Sequence, residues 1–175
     1  RAFIAFAMAI GTLPCSNASS EDLPAWMSEI TRLPPGDHAN LRPVRLSYTL
    51  AWNNRVNAVK LDISVARQDS TNPRFIGDAK GKSTGFARLL WPYEFEAKSI
   101  VDSGTLRPIN VQIAERERHA SSHYGIIFEE TRQVFTTTSK KEDEEARTAT
   151  SRFTFDFGQD VLSSAFYLRS QELKQ

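Results

Sequence analysis

The chain has 175 residues, 25% of them charged and 40% hydrophobic, which is close to an average globular protein. Global disorder is excluded, and one domain with a single core is expected. The 22 Lys and Arg face 21 Asp and Glu, a net charge of +1. No basic block stands free of acids, so the clear basic excess of a nucleic-acid binder is missing and that class is excluded as well.

The chain opens at Arg1, and residues 2–13 (AFIAFAMAIGTL) carry no charge. A membrane-spanning helix needs about 20 apolar residues, so the run is too short to cross a bilayer. It fits the apolar segment of a secretory leader, with Arg1 as the remnant of a basic start. Ser16 and Ala18 supply small side chains before a cut after Ala18, making residues 1–18 a cleaved signal peptide. The competing reading is a buried N-terminal helix. Cleavage would leave a mature chain of net charge 0, because it removes Arg1 and no acid. It would also remove Cys15, the one cysteine, and with it any disulfide. Lipidation of Cys15 is disfavoured, because Leu13-Pro14 stands where small residues are wanted. The expected location is periplasmic or exported, with no transmembrane span in the mature chain.

Residues 19–40 read as a linker. Leu33-Pro34-Pro35-Gly36-Asp37 is a breaker cluster, and residues 25–30 allow one helical turn. From residue 41 onward the pattern has period two. Val44, Leu46, Tyr48, Leu50 and Trp52 alternate with Arg45, Ser47, Thr49 and Ala51, which predicts a half-buried strand. Asn53-Asn54 supply turn chemistry, and Val59, Leu61, Ile63 and Val65 predict the returning strand of a hairpin. Thr71-Asn72-Pro73 is the next turn, with a third strand over 74–82.

Residues 86–91 (FARLLW) predict a short helix that Pro92 stops. Strands are predicted over 93–101 and 109–114, joined by a turn at Asp102-Ser103-Gly104. A further pair, 123–128 and 133–138, surrounds Glu129-Glu130-Thr131, and the threonines 136–138 suit an exposed strand. The charge run 140–147 (KKEDEEAR) predicts a solvated hairpin loop, and Phe153, Phe155 and Phe157 predict a last strand. Asp160 caps a helix in which Val161, Leu162, Ala165, Phe166 and Leu168 hold near-helical spacing. The fold class is therefore mainly β: a curved antiparallel meander or partly closed barrel with a C-terminal helix. That helix either covers an otherwise exposed sheet edge or is followed by further chain.

Candidate chemistry is sparse. His119 and His123 are spaced i, i+4, which on a helix would present two imidazoles to a metal. Their context is β, however, and Ala120-Ser121-Ser122 reads as a hairpin turn between two exposed histidines. His38 is a loop residue. Gly81-Lys82-Ser83-Thr84-Gly85 lacks the upstream glycine interval of a phosphate loop. There is no Gly-x-Ser-x-Gly elbow. Turn, surface and cap roles account for Asp102, Asp156 and Asp160. No catalytic residue, metal site or cofactor is assigned. The aromatics remain. Tyr48, Trp52, Tyr93, Phe95, Phe153 and Phe155 would line a ligand cavity if the sheet enclosed one, and otherwise they fill the core.

Four segments together resemble a known family. They are the opening strand from Tyr48 to Trp52, the turn Asp102-Ser103-Gly104-Thr105-Leu106-Arg107-Pro108, the segment Ile126-Ile127-Phe128-Glu129, and the helix Asp160-Val161-Leu162-Ser163-Ser164-Ala165-Phe166-Tyr167-Leu168-Arg169. In order and spacing, over residues 41–173, they are similar to the bacterial envelope family catalogued as domain of unknown function 3108. Where that family carries a Gly near its second strand, this chain has Asn57-Ala58. The resemblance implies an exported protein with a curved antiparallel sheet, a chain that is cut off or unusually short at its C-terminus, and no catalytic residues to carry over. The function expected is that of an exported β domain binding an apolar or envelope-derived ligand. The alternative is a structural or protein-interaction module of the cell envelope. A hydrolase or metalloenzyme comes third.

Overall fold

The computed structural model describes residues 34–36, 42–53, 55–68, 71–154 and 158–171. The expected leader at 1–18, most of the linker, His38, Phe155, Asp156 and Phe157 lie outside the described residues. Eight strands follow in chain order: β1 (Val44–Trp52), β2 (Val56–Gln68), β3 (Arg74–Ser83), β4 (Glu94–Asp102), β5 (Pro108–Arg116), β6 (Ala120–Phe128), β7 (Gln133–Lys141) and β8 (Arg147–Phe153). Helix α1 (Gly85–Leu90) lies between β3 and β4, and helix α2 (Val161–Ser170) follows β8. Each strand pairs antiparallel with the next, so spatial order equals chain order and the expected meander is formed. β1 and β8 are the two edges and do not pair with each other. The sheet is open, and the alternative of a partly closed barrel is not realised.

The register turns the period-two sequence pattern into rows that cross the sheet. One row runs Leu46, Ile63, Ala79, Ala97, Ile113, Tyr124, Thr137 and Ala149 from edge to edge. The adjacent row runs Ser47, Asp62, Lys80, Glu96, Ala114, His123, Thr138 and Thr148. Neighbouring rows project to opposite faces, so the sheet has one apolar face and one charged face. On the charged face Lys80 Nζ lies 3.1 Å from Glu96 Oε1 across β3 and β4. Thr138 and Thr148 hydroxyls meet at 3.0 Å across β7 and β8. These are the cross-strand pairs that fix register where no apolar contact can.

α2 lies on the apolar face, over β3 and β4. Its Phe166 ring packs edge-on against Phe75, with centroids 6.1 Å apart and planes at 62°. Val65, Phe75, Val101, Leu106 and Phe166 form one buried cluster. Close approach depends on Gly77, where a Cβ would stand 2.9 Å from Phe166 Cζ and 3.3 Å from Leu162 Cδ1. The helix begins as its sequence predicts. Asp160 Oδ1 accepts from the backbone N–H of Leu162 (2.8 Å) and Ser163 (3.3 Å), and Ser163 Oγ accepts from the N–H of Asp160 (2.9 Å). This reciprocal arrangement satisfies the orphan donors of the first turn. The other carboxylate oxygen, Oδ2, accepts from Ser99 Oγ at 2.8 Å. Ser99 is fully buried on β4, so the cap also ties the helix to the sheet.

The turn after β4 supplies a further part of this core. Asp102 Oδ1 accepts from Gly104 N, Thr105 N and Thr105 Oγ1 at 3.1, 2.8 and 2.8 Å. Leu106 follows at φ +53°, a left-handed conformation, and is only 2% exposed. The turn thus spends backbone strain to aim Leu106 into the cluster that holds Phe166. Two of the motifs singled out in the sequence therefore meet in one core. At the other end of α2, Gly36 N donates to Ser170 Oγ at 3.1 Å and Gln171 Nε2 donates to Pro34 O at 3.1 Å. Residues 34–36 of the expected linker thus lie against the end of α2.

Four sequence expectations change. The hairpin turn between β5 and β6 is centred on Glu117-Arg118-His119, closed by Glu117 N to Ala120 O at 2.8 Å, while Ala120-Ser121-Ser122 open β6. Thus His119 is a turn residue and His123 a strand residue. The strand expected to begin at Phe153 instead ends there, since β8 spans Arg147–Phe153. α2 packs on a face of the sheet rather than along an edge. α1 starts at Gly85, one residue early, and ends before Trp91, whose N–H bonds Ala87 O at 2.8 Å before Pro92 forbids another turn.

Candidate functional site

The apolar face is covered unequally. Beneath α2 its side chains are buried: Phe75 is 1% exposed and Val101 0%. Along β1 they are not, with Leu46, Tyr48, Leu50 and Trp52 exposed by 39%, 45%, 52% and 61%. α1 stands at the same end of the sheet. Thr84 N donates to Ala58 O at 2.9 Å, which holds the helix start against the beginning of β2, the strand that pairs with β1. From α1 and its exit, Phe86, Leu89, Leu90 and Trp91 also stand largely in water. Scattered exposed apolar residues are ordinary, but a stripe of four along one edge strand, with four more on the short helix held to the neighbouring strand, marks a candidate interaction surface.

An aromatic ladder lies between α1 and the sheet. Trp91 stacks on Tyr93 with centroids 4.9 Å apart and planes at 21°, and Tyr93 lies 6.1 Å from Phe95. Gly81 on β3 makes room for the last of these rings, since a Cβ there would fall 2.1 Å from Phe95 Cε1. The Tyr93 hydroxyl donates to Glu115 Oε1 at 2.9 Å. Burial first, and that hydrogen bond second, push the phenol well above the ordinary tyrosine range. Tyr93 therefore stays protonated at neutral pH and acts as a donor that holds the ladder in place, not as a base.

The charged face carries two open depressions. One, of about 450 Å³, crosses β3 to β7 and is bordered by Lys80, Lys98, Gln112, His123 and Thr138. The other, of about 630 Å³, is bordered by Lys60, Asp62, Lys82, Glu94 and Arg116. Charges of both signs alternate there. Asp62 is held below the ordinary carboxylate range chiefly by the Ser47 hydroxyl, and Glu94 by the Arg88 guanidinium, 2.6 Å away. A face whose charges answer one another presents no single-sign field to a charged ligand.

The six aromatics expected to line a cavity are thus divided. Tyr48 and Trp52 stand exposed on β1, and Tyr93 and Phe95 belong to the ladder on the same half of the sheet. Phe153 ends β8 at the opposite edge, and Phe155 lies outside the described residues. His119 pairs through Nδ1 with Glu142, while His123 borders the charged-face depression on β6. Among the described residues no three of His, Cys, Asp and Glu gather as a metal site would require. No helix among the described residues is long and apolar enough to cross a membrane. Sequence reasoning missed two things: the exposed apolar residues of α1, and the small side chains at Gly77, Ala79 and Gly81. Small residues at every second position from Gly77 to Ser83 were the available signal that something packs closely on that strand. Compared with known proteins, the chain matches no described family, no curated protein and no solved structure.

Proposed function

We propose that this chain is an exported domain of the bacterial cell envelope, akin to the family catalogued as domain of unknown function 3108, and that it binds an apolar, envelope-derived ligand of the acyl-chain class. The observation that carries the reading is the exposed apolar stripe of Leu46, Tyr48, Leu50 and Trp52 along β1, together with exposed Phe86, Leu89 and Trp91 on and after α1, which is held to the neighbouring strand β2. An acyl chain lying along β1 and against α1 would remove these side chains from water, and the Arg118 guanidinium, which donates to Leu89 O at 2.7 Å, stands at the α1 end where a carboxylate head would lie. The uncharged run at residues 2–13 supports export. The alternative, an envelope module that contacts protein, is favoured by the place of β1 at the edge of the sheet among the described residues.

Titration with a fluorescent fatty acid tests the ligand reading. Saturable binding that weakens about tenfold or more in Leu50→Asp and in Leu89→Asp is expected, since each change places a charge in the contact. Both positions are exposed, so both variants retain the fold. Absence of saturable binding, or equal affinity in both variants, refutes the reading.

A further inference from the structure

We infer that strand β1 pairs edge to edge with β1 of a second copy of the chain, antiparallel about Tyr48. Among the described residues β1 is an edge of the sheet, with β2 on one side only. An edge strand offers a row of free N–H and C=O groups to any extended segment that fits. The sequence of β1, VRLSYTLAW, fits itself. Reversed about Tyr48, it sets Val44 opposite Trp52, Leu46 opposite Leu50 and Ser47 opposite Thr49 of the other copy. Apolar residues then meet apolar residues on one face, Ser47 meets Thr49 on the other, and Arg45 falls beside the small Ala51, so both sheets turn the same face the same way. Two such pairings of each kind arise, because the twofold axis repeats them.

Charge agrees with the register. The one charged residue of β1, Arg45, falls opposite Ala51 of the second copy, so no like charges face each other. The other edge lacks this self-complementarity. β8, RTATSRF, carries Arg147 and Arg152, and its reversal about Thr150 sets Arg147 near Phe153 and Arg152 near Thr148. Charged side chains on an edge strand hinder pairing. Association is therefore confined to β1, and the result is a closed dimer with one continuous sheet rather than a fibre. The half-exposed side chains of Leu46, Tyr48 and Leu50 gain cross-strand neighbours in it. The inference does not rest on the ligand reading, and it leaves the apolar face open, twice as wide.

Substitution at Ala51 tests the register. Its partner on β2 is Asn57, so a charge at residue 51 meets no charged neighbour across the β1–β2 pair and the monomer tolerates either sign. Ala51→Arg opposes Arg45 at two symmetry-related positions, and Ala51→Glu attracts it at the same two. Sedimentation equilibrium on the whole chain should show a dimer for the parent, with a dissociation constant raised by roughly two- to thirty-fold in Ala51→Arg and lowered by a similar factor in Ala51→Glu. A parent chain that stays monomeric, or two variants that associate equally, overturns the inference. Fatty-acid binding by such a monomer would leave the ligand reading standing, so the two can fail separately.

Discussion

Removal of the Asp160 carboxylate tests how α2 is held on the sheet. In Asp160→Ala two contributions vanish together. The first is the cap, two hydrogen bonds to the N–H groups of Leu162 and Ser163, worth about 0.5–2 kcal/mol. The second is the bond from Ser99 Oγ at 2.8 Å. Ser99 is 0% exposed, so water cannot replace the lost acceptor, and an orphaned hydroxyl costs about 1–3 kcal/mol. The sum is about 1.5–5 kcal/mol, a large share of the stability of a domain this size. Urea unfolding followed by tryptophan fluorescence measures it. The cycle with Ser99→Ala separates the two terms: Ser99→Ala should destabilise the parent yet recover about 1 kcal/mol or more in Asp160→Ala, because it deletes the orphaned group. Asp160→Asn keeps an acceptor for the cap and a donor for Ser99 and should cost less than either. A loss below about 0.5 kcal/mol in Asp160→Ala, or additive effects in the cycle, would refute the proposed coupling of cap to sheet.

Two further predictions concern the same core. Gly77→Val forces Phe166 and Leu162 away from β3, where a Cβ already falls 2.9 Å from the ring, and should cost about 1–3 kcal/mol in the same assay. Gly125→Val on β6, where a Cβ meets nothing within 4 Å, should be neutral or stabilising, so equal losses at the two sites would contradict the packing argument. Asp102 gives a pH dependence. The N–H of Thr105 first, then the Thr105 hydroxyl and the N–H of Gly104, hold its carboxyl below the ordinary carboxylate range, against an opposing push from burial. The folded pKa is thus lower than the unfolded one. The stabilisation is fully present above the unfolded value of about 3.9 and is lost as pH falls through the depressed folded value. The stability gap between the parent and Asp102→Ala should therefore shrink on acidification and be constant from about pH 6 upward. A gap independent of pH through the acid range would mean the carboxylate is not what braces the turn.

The strands that were legible are those with an apolar stripe. β1 and β2 announce themselves because Val44 to Trp52 and Val59 to Val65 alternate without a break, and their observed bounds contain the expected ones. The stops were legible where one residue removes a choice, as Pro92 does after α1 and Asp160 before α2. β8 was not, because RTATSRF has neither an apolar stripe nor aromatics before its end. It is a strand because β7 offers it a ladder and because Thr148 and Thr150 meet Thr138 and Thr136 across it. That partner is a tertiary fact, and local propensity does not contain it. The same limit applies to the site. Alternation says that Leu46, Tyr48 and Leu50 share a face. It does not say that α2 covers Phe75 and Val101 on that face and leaves Leu46, Tyr48 and Leu50 exposed.

The partial exposure of β1 sets a limit on what it can hold by itself. Fully burying a side chain the size of Leu or Phe contributes about 1.5–3 kcal/mol, and the four large residues of β1 are already about half buried. A ligand lying on β1 alone would therefore gain on the order of 3–6 kcal/mol before the loss of its own translational and conformational freedom. That gross gain corresponds to affinities from millimolar to tens of micromolar, and the association costs consume most of it. Binding tight enough to matter requires α1 to close on the same ligand, since Phe86, Leu89 and Leu90 are each more exposed than any of the four β1 residues and have more to gain. Hence Leu89→Asp should weaken fatty-acid binding at least as much as Leu50→Asp, although α1 has only six residues and no buried ones. If Leu50→Asp abolishes binding while Leu89→Asp leaves it intact, the ligand lies on the sheet alone and α1 is a connector.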